Sequence, residues 1–211
     1  MSEAARSPSP HHRGPFEGHK AGQRPAPNGD IGVVLRAETV AGLWLAHTWP
    51  SGVTRLRRAL AAACDLTDVP ERTGQVRAIT SGLLMCTGPC EYQLLMLQAA
   101  GAAPDLHRHV TPDLGSVTDL GHARCRIRIE GGRCRDTLSK LFALDLRDAA
   151  WPVGELRLTG HHHVPCAACR TGLDSFDLLV FSTYAYDQLA TLIDAAQEYG
   201  VALELPGASP A

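Results

Sequence analysis

The stretch richest in ligand-type side chains runs from Gly160 to Arg170, GHHHVPCAACR. Three consecutive histidines precede two cysteines, Cys166 and Cys169, in a C-x-x-C spacing. Such residues can hold zinc, form a redox pair or simply occupy a strand. A structural zinc site takes four ligands that converge tetrahedrally, most often as two separated pairs. A second C-x-x-C is absent, because Cys86 and Cys90 are spaced C-x-x-x-C. The candidate metal set is therefore His161, His163, Cys166 and Cys169. A strand works against it: His161 and His163 would share one face, His162 would take the other, and the two cysteines would part unless the chain turned between them. Pro165 marks such a turn or an edge strand. Redox use asks for a helix N-terminus to lower the thiol pKa, and no helix is expected here. The third reading is a strand whose cysteines pack as small hydrophobes and whose histidines meet a partner or solvent.

A second grouping lies in GHARCRIRIEGG. Ala123, Cys125, Ile127 and Ile129 alternate with Arg124, Arg126 and Arg128. Strict alternation is the mark of a half-buried strand. Its arginine face can take an anion or phosphate, pair with carboxylates of a partner subunit, or face water; Arg124, Arg126 and Arg128 are the interface candidates. No nucleophile elbow, phosphate-binding loop or dinucleotide fingerprint is present, since TGPC and EGGRC lack the required glycine spacing. No catalytic or cofactor-binding residue is assigned to this chain.

The elements that must position these groups follow from periodicity. VTRLRRALAAACDL reads as a helix, with Val53, Leu56, Leu60 and Cys64 inward, Arg55, Arg57 and Arg58 outward, and Ser51 or Thr54 as its cap. Two strands are expected, near Val76–Cys86 and Tyr92–Leu97, joined at Thr87-Gly88-Pro89. Gly101 to Gly115 reads as a loop or short helix. After the arginine strand, Gly131-Gly132 makes a turn and RCRDTLSKLFALDL a helix with Leu138, Leu141 and Phe142 as its stripe. A hairpin follows, with one strand over Glu155–Arg170 broken near Gly160, a turn at RTGLDS and a return strand FDLLVFS. A last helix runs from about Tyr186 to Tyr199, with Leu189, Leu192, Ile193 and Ala196 on one face, and Gly200 stops it.

Residues 1–30 hold five prolines and four glycines, with His11, His12 and His19 among them. This composition predicts a disordered tail, and the pair His11 and His12 could at most bind a metal loosely. Residues 31–206 form the expected folded domain and 207–211 a flexible end. The chain has 211 residues, is 45% hydrophobic and carries a formal charge of −2. That balance supports a real core and gives no strong field toward nucleic acid or membrane. Seven cysteines, an odd number, argue against a disulfide framework. With no apolar leader and no run near 18 apolar residues, a soluble cytoplasmic protein with reduced thiols is expected. Strands mixed with a few packed helices indicate an α+β class with mixed or antiparallel sheets.

Two blocks carry a resemblance. DLGHARCRIRIEGGRCRDTLSKLFALDLRDAAWPVGELRLTG and SFDLLVFSTYAYDQLATLIDAAQEYG resemble the gamma subunit of heterotetrameric sarcosine oxidase, and SGLLM…GPCEYQLLML resembles that family's early hairpin. The shared pattern is an arginine strand ending in IEG, a helix ending in LDL, a WP-x-G turn, FDL-x-V, a YA link and a closing helix. The resemblance spans about Val76 to Leu203. It implies a fold similar to the folate-binding domain of glycine-cleavage T-proteins and an accessory role beside alpha, beta and delta subunits. It also implies that FAD, FMN, NAD, tetrahydrofolate and zinc sit on those partners, in a complex that demethylates sarcosine oxidatively and passes the one-carbon unit to tetrahydrofolate. The sequence departs from the family at Gly131-Gly132, where Gly-Pro is usual, and at the Cys166–Cys169 spacing. Related complexes act on other N-methyl amino acids, including N-methylglutamate, so the substrate stays open. A free-standing folate-binding or aminomethyl-transfer protein is the alternative, with Asp113, Asp119 or Asp145 as the carboxylate facing a pterin. A small metal module on the histidine–cysteine stretch is another.

Overall fold

The computed structural model describes residues 14–98, 103–161 and 163–206. In chain order the strands are β1 (Gly22–Arg24), β2 (Val33–Thr39), β3 (Gly42–Thr48), β4 (Val76–Ile79), β5 (Gly82–Gly88), β6 (Glu91–Met96), β7 (Gly115–Asp119), β8 (Arg124–Glu130), β9 (Leu156–His161), β10 (Val164–Gly172), β11 (Ser175–Phe181) and β12 (Val201–Glu204). The helices are α1 (Val53–Cys64), α2 (Leu106–His109), α3 (Cys134–Ser139) and α4 (Ala185–Ala196).

Two sheets result. One has seven strands in the order β1-β12-β2-β8-β11-β10-β9, and the other five in the order β4-β5-β6-β3-β7. Every named pairing is antiparallel except β12 with β2, which run parallel from Val201 opposite Val33. β2 and β8 pair directly, Val34 opposite Glu130, although the whole five-stranded sheet lies between them in sequence. Three apolar clusters show the layering. Leu35, Ile127, Phe176, Leu178, Leu189 and Leu192 join one face of the larger sheet to α3 and α4. Leu56, Leu60, Leu84, Leu94 and Leu106 join the smaller sheet to α1 and α2. Leu43, Met85 and Leu95 of the smaller sheet meet Leu156, Ala167, Cys169 and Leu179 of the larger one. The order is therefore helices, sheet, sheet, helices, which meets the α+β expectation.

The helices owe their places to these stripes. In α4 the buried side chains Leu189, Leu192 and Ile193 recur at helical spacing, and each contributes roughly 1.5–3 kcal/mol by leaving water. In α1 Leu56, Leu60 and Cys64 do the same. Its start has no side-chain cap; Gly52 stands there after a tight turn over Pro50–Gly52, so the expected caps Ser51 and Thr54 are not used.

Other differences have simple causes. The strand expected over 76–86 is two strands, because the chain reverses at Ser81, whose φ is 62°. The helix expected over 133–146 ends at Ser139, and Phe142 and Leu146 reach the same core from irregular backbone. Part of the expected tail is placed: Phe16 is buried in the larger core and Gly22–Arg24 pairs with β12. His19 also meets Tyr186 of α4, with ring centres 4.2 Å apart. Residues 1–13, with His11 and His12, and residues 207–211 lie outside the described residues. Strands β2, β3, β7 and β12 have no counterpart in the expectations above.

Candidate functional site

The even-numbered residues of β8 face away from α4. Opposite them stand side chains that strand order alone could bring: Arg126 lies across from Glu38 of β2, and Arg128 across from Asp177 of β11. Arg126 donates to Glu38 Oε2 at 2.7 Å, and its Nε lies 3.2 Å from Asp177 Oδ2. Arg128 donates to Glu130 at 2.9 Å. Arg36 of β2 reaches both Glu130 and Glu204. Cross-strand pairs of opposite charge stabilise a sheet face. Here they neutralise most of it, so Arg126 and Arg128 are engaged inside the chain. Asp177 is 1% exposed. Its burial pushes the carboxyl above the usual carboxylate range, against the pull of Arg126 and Arg128. A single acid inside FDLLVF was the signal for it.

Arg124 behaves differently. Its guanidinium carbon sits 3.5 Å from the centre of the Phe181 ring, the residue directly across the ladder. Its Nη1 is buried and, among the described residues, meets no acceptor. Desolvation holds this guanidinium below its ordinary pKa. It stands on the wall of two clefts. One, of about 660 Å³, also touches Trp44, Asp119 and His122. The other, of about 400 Å³, opens between the sheets against Thr87, Glu91 and Gln93.

The histidine–cysteine stretch is a hairpin. Val164 pairs with His161, so the chain reverses inside the histidine run rather than near Gly160. His163 takes a φ of 66° there, the left-handed conformation that tight hairpins demand. His161 is buried against Phe142, ring centres 5.3 Å apart, while His163 is exposed; His162 lies outside the described residues. Cys166 packs toward α4 and Cys169 toward the second sheet. Burial pushes each thiol up to about 12. His161 and Cys166 thus share the face toward α4, Cys169 takes the opposite face and His163 is exposed, and among the described residues no cluster of three or more histidines, cysteines or acids could hold a metal. Pleating separates the pair, as the C-x-x-C spacing on a strand implies.

The candidate pterin carboxylates are dispersed. Asp113 is exposed and pairs with Arg55 at 2.9 Å. Asp145 is held down to about 2 by Arg147, its neighbour two residues on. Asp119 accepts from Gly121 N–H at 2.8 Å and touches the larger cleft.

The fold recurs in known structures. It matches glycine cleavage system aminomethyltransferase T from Bartonella henselae with a TM-score of 0.60 at 13% identity, over 83% of this chain and 48% of that one. A fuller match is a chain of heterotetrameric sarcosine oxidase from Corynebacterium sp. U-96, solved in complex with pyrrole 2-carboxylate. There the TM-score is 0.73 at 23% identity, over 95% of this chain and 99% of that one. In sequence, the chain is 28% identical over 142 residues to sarcosine oxidase subunit gamma from Arthrobacter sp, covering 67% of this chain and 70% of the relative. The gamma subunit from Corynebacterium sp. strain U-96 is 28% identical over 145 residues, covering 68% and 70%. No family model matches. The resemblance read from the two sequence blocks is therefore met in both sequence and fold. Among the described residues no helix is long and apolar enough to cross a membrane.

Proposed function

We propose that this chain is the accessory gamma subunit of a heterotetrameric sarcosine oxidase-like complex in the cytoplasm. Its role is to bury surface on alpha, beta and delta partners, which carry FAD, FMN, NAD, tetrahydrofolate and zinc. The complex demethylates sarcosine or a related N-methyl amino acid and hands the one-carbon unit to tetrahydrofolate. The observation that carries this reading is the match of nearly the whole length of both chains to a chain of such an oxidase, joined to relatives named as its gamma subunit. The chain's own charges fit an accessory part, because Arg126 and Arg128 of its arginine strand are spent on internal ion pairs.

Co-expression with the alpha, beta and delta subunits of such a complex tests it. Co-purification at fixed stoichiometry is expected; a chain that stays monomeric and never co-purifies would overturn the reading. Calorimetric titration of the isolated chain with tetrahydrofolate separates it from a free-standing folate protein, and no binding is expected.

A further inference from the structure

Arginine pairing across the molecule leaves one exception. Among the described residues, every arginine that is not fully on the surface has a carboxylate: Arg36, Arg57, Arg77, Arg126, Arg128, Arg135, Arg157 and Arg170. Arg124 is half-buried and has none. Across the same cleft, Glu91 of β6 is half-buried and has no cation; the hydroxyl of Thr87 donates to it at 2.6 Å. These two opposite charges come from facing sheets, line one cavity of about 400 Å³, and do not pair with each other. An unmet buried donor on a charged group is costly, and the guanidinium fork matches a carboxylate in two parallel hydrogen bonds. The Phe181 ring fixes that fork in place. Gln93 adds an amide beside Glu91, and Leu158 and Pro165 give the cleft apolar contact.

We propose that the inter-sheet cleft between Arg124 and Glu91 binds a small zwitterion, its carboxylate on Arg124 and its ammonium on Glu91. The site lies at the polar mouth of the apolar layer between the sheets. It is separate from the charge ladder of Arg36, Arg126 and Arg128.

The test is a titration of the full-length chain, followed by amide shifts in two-dimensional NMR. The probes are glycine, β-alanine, 4-aminobutyrate and 5-aminovalerate, which move the two charges apart one methylene at a time. Acetate and methylammonium serve as single-charge controls. Saturable shifts below about 10 mM are expected for one preferred length, with the controls at least about tenfold weaker. Glu91→Gln and Arg124→Gln should each weaken binding by about tenfold or more. Arg124→Lys, which keeps the charge but loses the fork, carries the same test if Arg124→Gln fails to fold. No saturation by any probe, acetate binding as tightly as the zwitterions, or binding that survives Glu91→Gln would each overturn the proposal.

Discussion

The guanidinium of Arg170, with no exposed surface, donates to the carboxylate of Asp148 at 2.5 Å. The same side chain donates to the carbonyls of Trp151, Gly172 and Leu173, so one arginine ties the loop before β9 to the β10–β11 turn. Removing a buried charged partner leaves several acceptors unmet. Arg170→Ala should cost about 3–5 kcal/mol in urea unfolding. Arg170→Lys should recover little, because an ammonium cannot reach four acceptors in a fixed plane. A Lys variant of wild-type stability would show that the network is not what holds these loops.

Asp148 is the exposed end of that pair, and its contribution depends on pH. Arg170 holds its carboxyl below the usual range, mainly by donating to it. A lowered carboxyl stabilises the fold above its unfolded pKa and loses that effect as pH falls through the folded value. Asp148→Asn should therefore lower the melting temperature at pH 7, with the difference from wild type closing as pH drops below about 4. A difference that stays constant with pH would show that the charge is not involved.

The buried thiols set an alkaline limit. Burial raises Cys166 and Cys169 to about 12 and Cys64 and Cys134 to about 11, from an ordinary 9.0. The folded chain holds these protons longer than the unfolded one, so stability is full below the unfolded pKa and falls as pH rises from about 9 toward 11–12. Each thiol steepens the loss by about 1.4 kcal/mol per pH unit in that window. Cys166→Ala should flatten the slope by that amount, as read from urea midpoints between pH 8.5 and about 10.5.

Thiol accessibility separates one cysteine from the others. Cys90 is half-exposed, and Cys64, Cys86, Cys125, Cys134, Cys166 and Cys169 are buried. A thiol reagent under native conditions should modify one cysteine quickly, and Cys90→Ser should remove that phase. Rapid reaction of Cys166 or Cys169 would contradict their placement in the two cores. The same placement predicts less than about half an equivalent of zinc on untagged protein, since structural zinc needs converging thiolates.

Helix α4 ends at Ala196, and Gly200, with a φ of 75°, closes the 3-10 turn Gln197–Tyr199 that follows it; a Cβ there would stand 2.0 Å from the carbonyl oxygen of Asp30. Gly200→Ala should cost at least about 1–3 kcal/mol through strain alone. Gly132→Ala, which meets open space, should stay near wild type in the same melt.

Legibility followed locality. The arginine strand, α1 and α4 were readable because their periods repeat over 7, 12 and 12 residues. β2 was not read, although Val33, Leu35 and Ala37 do alternate with Val34 and Arg36, because no turn signal closes the run at Val40-Ala41. β12 has four residues and gains its identity only from lying between β1 and β2. The fate of the arginine face was illegible for a related reason. Glu38 stands 88 residues from Arg126, and only the strand order makes them neighbours. The histidine run was read for its pleat, which correctly separates the two cysteines, but not for its turn, which depends on a left-handed histidine.

The strand order also sets a schedule for biosynthesis. All five strands of the smaller sheet lie within residues 42–119, so that half and its two helices can close while the rest is still on the ribosome. The larger sheet cannot. β12 sits between β1 and β2, and its last residue is 204. Until residues 201–204 have been made, β1 and β2 wait beside a gap that only β12 fills.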